Sequence, residues 1–268
     1  MCGICGCGES GSPKKWVPVS QANALLLTPS HSHSHTHRVE ESDDQHRLIQ
    51  MEVDLLSKNN AYAEKNRAYF KAHGIFVLNL VSSPGAGKTT LLVETIKALA
   101  SHFPISVIEG DQQTEHDAQR IRATGARALQ INTGRVCHLE AQGIAQAVAQ
   151  LGVEDKSFLA IENVGNLVCP SAFDLGEAHK VVVLSVTEGD DKPIKYADMF
   201  YAADLMIINK MDLLPYVDFD VARCIAFAKQ VNPSIEIITL STTKGDNFAQ
   251  WTAWLQNAMQ AATHSPEL

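Results

Sequence analysis

Apolar residues are distributed unevenly along the chain. Through residues 1–45 the only apolar stretch is Leu25–Leu27, too little for a core, so this region reads as a mobile tail. From Gln45 to His73 the spacing of Leu48, Ile49, Glu52, Leu55, Leu56, Tyr69 and Phe70 predicts one or two helices, entered through a Ser42-Asp43-Asp44 cap and ended by Gly74. Short apolar runs then alternate with amphipathic stretches. Strands are predicted at Ile75–Val81, Ile105–Ile108, Ala128–Ile131, Phe158–Glu162, Val181–Val186, Leu205–Asn209 and Ile235–Leu240. Helices are predicted at Lys88–Ala100, Glu115–Thr124, Leu139–Gln150, Val221–Gln230 and Phe248–Ala262. Continuous Val/Ile/Leu strands separated by helices imply a mostly parallel sheet covered on both faces. The chain thus reads as an α/β protein: a tail over 1–45, then a three-layer domain over 46–268 that begins with a helical segment.

Composition adds two exclusions and one oddity. The net charge of −8 argues against a nucleic-acid partner, which would require a basic face. No apolar run approaches the roughly 20 residues that span a bilayer, and no signal peptide stands at the start, so a cytoplasmic protein without a membrane partner is expected. The oddity is the pairing of 11 His with 6 Cys in 268 residues. Cys2, Cys5 and Cys7 crowd one end, and His31, His33, His35 and His37 alternate nearby. In a cytosolic setting this favours metal over disulfides.

The clearest chemistry follows the first strand. Ser82-Ser83-Pro84-Gly85-Ala86-Gly87-Lys88-Thr89 matches a phosphate-binding loop with Ser82 at the place of its first glycine. Gly85, Ala86 and Gly87 turn backbone N–H groups toward an anion, and the helix N-terminus adds its positive end. Lys88 supplies charge for the β- and γ-phosphates, Thr89 a hydroxyl for Mg²⁺, and Thr90 lies alongside. Asn209-Lys210-Met211-Asp212 follows a later strand. An aspartate there can accept two hydrogen bonds from guanine, a pattern adenine does not offer. Asn209 would brace the loops, Lys210 would lie against the base, and Ser241-Thr242 would close over it. Asp111 and Glu162, expected at carboxyl ends of strands, compete for the magnesium and water roles.

Two further constellations suit metal. Cys2, Cys5 and Cys7, with the amine freed if Met1 is removed, make a compact set that fits Ni(II), zinc or a merely reactive tail. The His31–His37 run suits loose capture of Ni²⁺, Zn²⁺ or Cu²⁺, or is a residual tag. Inside the domain stand Cys137-His138 and Cys169. Adjacent side chains diverge by about 100° in a helix and about 180° in a strand. One chain is therefore expected to bind metal poorly through the Cys137-His138 pair, with a two-fold dimer supplying ligands from two chains. Cys169 lies seven residues after Glu162, so one loop would join the γ-phosphate to a thiolate. Cys224 reads as core, and His73, His102, His116, His179 and His264 as structural.

Taken together, Cys2-x-x-Cys5-Gly6-Cys7, the His run, the Ser82–Thr89 loop, Glu109-Gly110-Asp111-Gln112, Cys137-His138, Glu162-Asn163-Val164-Gly165-Asn166-Leu167-Val168-Cys169-Pro170 and Asn209–Asp212 resemble the HypB family of hydrogenase nickel-incorporation GTPases over nearly the whole chain. The resemblance accounts for Ser82, which the family shares. It implies a dimerising GTPase that binds GTP or GDP with Mg²⁺, stores nickel, and inserts it into a hydrogenase large-subunit precursor. It also implies a tight nickel site at Cys2, Cys5 and Cys7 and a weaker, nucleotide-coupled site for nickel or zinc at Cys137, His138 and Cys169. Partners would be a second copy, a HypA-type metallochaperone and the precursor. Lys88, Thr89, Asp111 and Glu162 would serve hydrolysis, which should be slow because neither an arginine finger nor a catalytic Gln is evident. Ser83 stands where some dimerising relatives carry a lysine, leaving Lys192 as a candidate to act across the interface. Two rivals remain on the sequence: a small-molecule kinase, and a metal store that nucleotide merely stabilises.

Overall fold

A computed structural model describes residues 38–111, 116–134 and 136–264. Cys2, Cys5, Cys7 and the His31–His37 run lie outside the described residues. The chain divides into two units between Leu55 and Leu56. In order, the elements are α1 (Arg38–His73), β1 (Phe76–Ser82), α2 (Lys88–Leu99), β2 (Ile105–Asp111), α3 (His116–Arg122), β3 (Arg127–Asn132), α4 (Ala141–Leu151), β4 (Phe158–Gly165), β5 (His179–Ser185), α5 (Lys192–Lys195), α6 (Ala197–Ala202), β6 (Leu205–Asn209), α7 (Val221–Val231), β7 (Glu236–Thr239) and α8 (Phe248–His264). The seven strands form one parallel sheet in the order β3-β2-β4-β1-β5-β6-β7. With helices on both faces this is the three-layer fold of P-loop NTPases. β1 lies centrally, so the loops leaving β1, β2 and β4 open on one edge of the sheet, where ligands of such folds bind.

Each predicted strand is present, and every residue of β1 is buried. Alternate residues feed opposite layers. Phe76, Leu78 and Leu80 pack with Leu91, Leu92 and Ile96 of α2 and Trp251 and Leu255 of α8. Val77 faces the other way, with Ile108, Leu159 and Ile161, against Phe70 of α1 and Ile144 and Val148 of α4. Val182, Leu184, Met206 and Ile208 meet Met199, Phe200, Cys224 and Ala228.

The first helix departs from expectation. It begins at Arg38 and runs through Ser42-Asp43-Asp44, which therefore do not cap it. Its docked face is only partly the apolar set expected: Phe70 is buried, but Leu55 is 38% and Tyr69 43% exposed, and Asn59, Ala63 and Asn66 are buried in their place. The two asparagines satisfy backbone groups that would otherwise be orphaned. Asn59 Nδ2 donates to Asp174 O at 2.7 Å and its Oδ1 accepts from Ala141 N, the start of α4, at 2.9 Å. Asn66 Nδ2 donates to Ala141 O and Leu175 O at 2.8 and 3.0 Å.

Candidate nucleotide and metal site

The loop from Ser82 to Lys88 wraps the end of β1. Gly87 has φ +101°, and a Cβ there would meet Asn209 Nδ2 at 2.7 Å, so both conformation and space demand glycine. Gly85 also has positive φ, but a Cβ would meet nothing. Lys88 is buried at 8% exposure, with Nζ donating to Ser82 Oγ at 2.7 Å. Burial draws its ammonium below the ordinary lysine range, opposed by the charge of Glu162. Thr89 Oγ1 donates to Glu162 Oε1 at 2.7 Å, while Glu162 Oε2 is buried without a partner. Burial pushes the Glu162 carboxyl up, against the pull of Lys88 and of the Thr89 hydroxyl. Glu162 was expected to end its strand, but β4 runs on to Gly165, whose register opposite Ser82 carries it past the phosphate loop.

Two acidic groups stand beside Glu162 in the cleft. Asp111 ends β2 and lines the cleft, as does Glu109, which faces Glu162 in register. The Glu109 carboxyl is pushed up to about 8, first by burial and then by repulsion from Glu162, Asp117 and Asp111. Its Oε2 is also unpartnered. In the sequence Glu109 stands out only as a neighbour of Asp111. The available signal was its place in the sheet: an acidic residue on a buried central strand is costly unless a cation or proton answers it. Arg120 was missed as well. From α3 it donates to Thr90 Oγ1 and Asp117 Oδ1, both at 3.1 Å, and it lines the cleft as a further cation near the phosphate loop, beside Lys88, Lys192 and Lys210.

At the base end Asn209 acts as a post. Its Nδ2 donates to Ala86 O at 3.0 Å, and its Oδ1 accepts from Lys210 N, Thr242 N and Thr242 Oγ1. Lys210, at φ +61°, donates through Nζ to Gly85 O at 2.6 Å. Ser241 Oγ donates to Asp212 Oδ1, holding that carboxylate in place rather than reaching past it. Lys192 Nζ donates to its own chain's Ser83 Oγ at 2.8 Å and pairs with Glu188 at 3.1 Å.

The thiol and imidazole groups correct the sequence argument about divergence. Cys137 and His138 lie in a bend, where neither the helical nor the extended period applies, and their side chains converge. A single chain brings ligand atoms of Cys137, His138 and Cys169 within 4.8 Å of one another. Cys169 opens a 3₁₀ turn, Cys169–Ser171, that the sequence did not predict. Both His138 ring nitrogens lack hydrogen-bond partners, the ring stacks on Phe173 at 3.8 Å, and the nearest ion-pair carboxylate, Glu140, is 3.8 Å away. Burial lowers the imidazole's pKa, offset in part by Glu140, which keeps the neutral, metal-ligating form at hand. Two soft thiols with one imidazole suit zinc or nickel. Cys137 lines the same cleft, of about 770 Å³, as Gly85, Lys88, Thr89 and Glu162. Cys224 is fully buried away from this cluster, its thiol pushed up to about 12 by burial.

Comparison with known proteins gives a consistent neighbourhood. Residues 76–239 match the family model described as CobW/HypB/UreG, nucleotide-binding domain. The chain is 50% identical over 285 residues to the hydrogenase maturation factor HypB of Escherichia coli strain K12, covering 96% of this chain and 98% of that protein. It is 61% identical to the factor of the same name from Azotobacter chroococcum, over 79% of this chain and 70% of that one. Among solved structures it resembles HypB from Helicobacter pylori in complex with nickel, at TM-score 0.72 and 39% identity over 79% of this chain and 99% of that one. The Archaeoglobus fulgidus hydrogenase maturation factor HypB is similar at TM-score 0.71 and 38% identity, over 76% and 99%. No helix among the described residues is long and apolar enough to cross a membrane.

Proposed function

This chain belongs to the HypB family of hydrogenase maturation factors, and from that premise we propose that it is a cytoplasmic GTP-hydrolysing nickel chaperone. Asp212, held by Ser241, reads guanine, and Asn209 couples the base end to the phosphate loop through Ala86 and Thr242. Lys88, Arg120 and the backbone N–H groups of Gly85–Thr90 neutralise the phosphates. The oxygen donors of Thr89 and Glu162, with the unpartnered carboxylate oxygens of Glu162 and Glu109, fit Mg²⁺. Bound there, Mg²⁺ would offset charge on the phosphate oxygens. Asp111 and Glu109 hold and orient water at the cleft floor.

Nickel is the cargo, carried at Cys137, His138 and Cys169, a set that also suits zinc. Cys2, Cys5 and Cys7 form a separate capture site. A second copy assembles on this chain with GTP, and a HypA-type metallochaperone and the hydrogenase large-subunit precursor lie on either side of the transfer. The observation that carries the reading is a single cleft holding the phosphate loop and Cys137, with Glu162 and Cys169 on one short segment. The test is nickel affinity of the full chain with Cys2, Cys5 and Cys7 changed to Ser and His31, His33, His35 and His37 changed to Ala, measured with GDP and with a non-hydrolysable GTP analogue. A several-fold difference is expected, and equal affinities would sink the coupling. Lys88→Ala should remove both nucleotide binding and that difference. Delivery of nickel undiminished by Lys88→Ala would favour a passive store instead.

A further inference from the structure

A chain of buried polar side chains runs beneath the metal cluster, and neither nucleotide nor metal chemistry calls for it. Lys180 on β5 is 7% exposed, and its ammonium collects the carbonyls of Pro170, Ser171 and Phe173 at 3.3, 3.4 and 3.3 Å. These carbonyls belong to the segment that leaves Cys169. Glu177 stands 3.8 Å from the ammonium, accepts from Leu175 N at 2.7 Å, and accepts from Asn79 Nδ2 of β1 at 2.9 Å. Asn79 Oδ1 in turn accepts from Asn163 Nδ2 of β4 at 3.2 Å. Asn163 Oδ1 accepts from Leu139 N, the residue after His138, at 3.3 Å. One end of the chain therefore holds the Cys169 arm and the other the Cys137-His138 arm. Phe173, whose carbonyl Lys180 holds, stacks its ring on His138 and closes the circuit.

A buried ion pair adds little net stability, because desolvation cancels most of the attraction. Such a pair is better explained by what it fixes. The carbonyls of Pro170, Ser171 and Phe173, converging on a single ammonium, set the path of the segment that leaves Cys169, and that path sets where Cys169 Sγ lies. We propose that Lys180 and Glu177, linked through Asn79 to Asn163, are positioning residues for the Cys137–His138–Cys169 site, holding its two arms at metal-binding separation. This rests on the metal reading of that cluster. Groups that orient metal ligands from behind typically govern affinity by 10–100-fold.

The experiment uses the full chain with Cys2, Cys5 and Cys7 changed to Ser and His31, His33, His35 and His37 changed to Ala, with Ni(II) alone as the titrant and excess GDP present to stabilise every variant by mass action. The background protein should give a thiolate-to-nickel charge-transfer band that Cys169→Ala removes. The double variant Lys180→Met/Glu177→Gln, which removes both charges together, should keep GDP affinity while losing about 10–100-fold in nickel affinity, with a shifted band. Asn79→Ser cuts the chain at its middle and leaves the ion pair standing, so it keeps the test alive if the double variant does not fold. A several-fold loss with unchanged GDP affinity is expected of it. Nickel affinity and spectrum unchanged in whichever variant folds would overturn the positioning role. A background protein with no thiolate band at all would sink the metal reading, and this proposal with it.

Discussion

Gly87 and Cys224 show two ways in which a single position is constrained. At Gly87 the left-handed φ and the Asn209 amide 2.7 Å from a would-be Cβ act together. Gly87→Ala is expected to cost about 1–3 kcal/mol in stability and to push the base-end post out of place. A thermal melt and a nucleotide titration check it; unchanged nucleotide affinity would contradict the close-packing argument. Gly85→Ala is the control, since it shares the positive φ but meets nothing. At Cys224 burial alone decides. A thiol raised to about 12 inside an apolar layer is a poor nucleophile. Alkylation of the native protein at pH 8, mapped by mass spectrometry, should spare Cys224 and modify it only after unfolding. Glu109 was hard to read at this scale because its meaning depends on facing Glu162 in the neighbouring strand, a register no local pattern reveals.

At the scale of elements, what was legible follows from how each one earns its place. The five inner strands are buried on both faces, so continuous Val/Ile/Leu runs announce them, and Leu205–Asn209 has the predicted limits. The phosphate loop was equally plain, because its glycines serve a local backbone need. α1 was misread over part of its docking face because, beside the buried Ala63 and Phe70, it binds through Asn59 and Asn66, which satisfy loop carbonyls and an N–H group. The 3₁₀ turn at Cys169 and the short helices α5 and α6 were missed because three to six residues show no periodicity. α8 is a case where a side-chain contact joins two elements. Trp251 is fully buried, and its Nε1 donates to Thr95 Oγ1 of α2 at 2.8 Å. Trp251→Phe should cost about 1–2 kcal/mol, from the lost hydrogen bond and the space left behind. Nucleotide affinity should hold, because α2 meets the phosphates at its other end. A denaturant melt showing no loss would mean that α8 does not brace α2.

Across the whole molecule, the sheet brings two chemistries to one edge. The loop leaving β1 delivers Lys88 and Thr89 at the start of α2, β2 delivers Glu109 and Asp111, and β4 delivers Glu162 before its chain continues to Cys169. Cys169 stands seven residues after Glu162, and Lys180 anchors the carbonyls just beyond Cys169, so under the proposed function a rearrangement at Glu162 on hydrolysis would be felt along this segment. The proposed coupling would have nucleotide state and metal occupancy act on the same short segment, and linkage would make the effect reciprocal. If a GTP analogue changes nickel affinity by some factor relative to GDP, nickel must change the analogue's relative affinity by the same factor. Typical couplings of about 5–150-fold set the scale to look for. The four affinities should be measured at two protein concentrations that bracket assembly. Equal factors at both concentrations would place the coupling within one chain, along the Glu162–Cys169 segment. A factor that appears only at the higher concentration would make assembly of two copies the bistable element, with the segment merely reporting it. No coupling at either concentration would mean that the shared cleft brings metal and nucleotide together without making either sense the other.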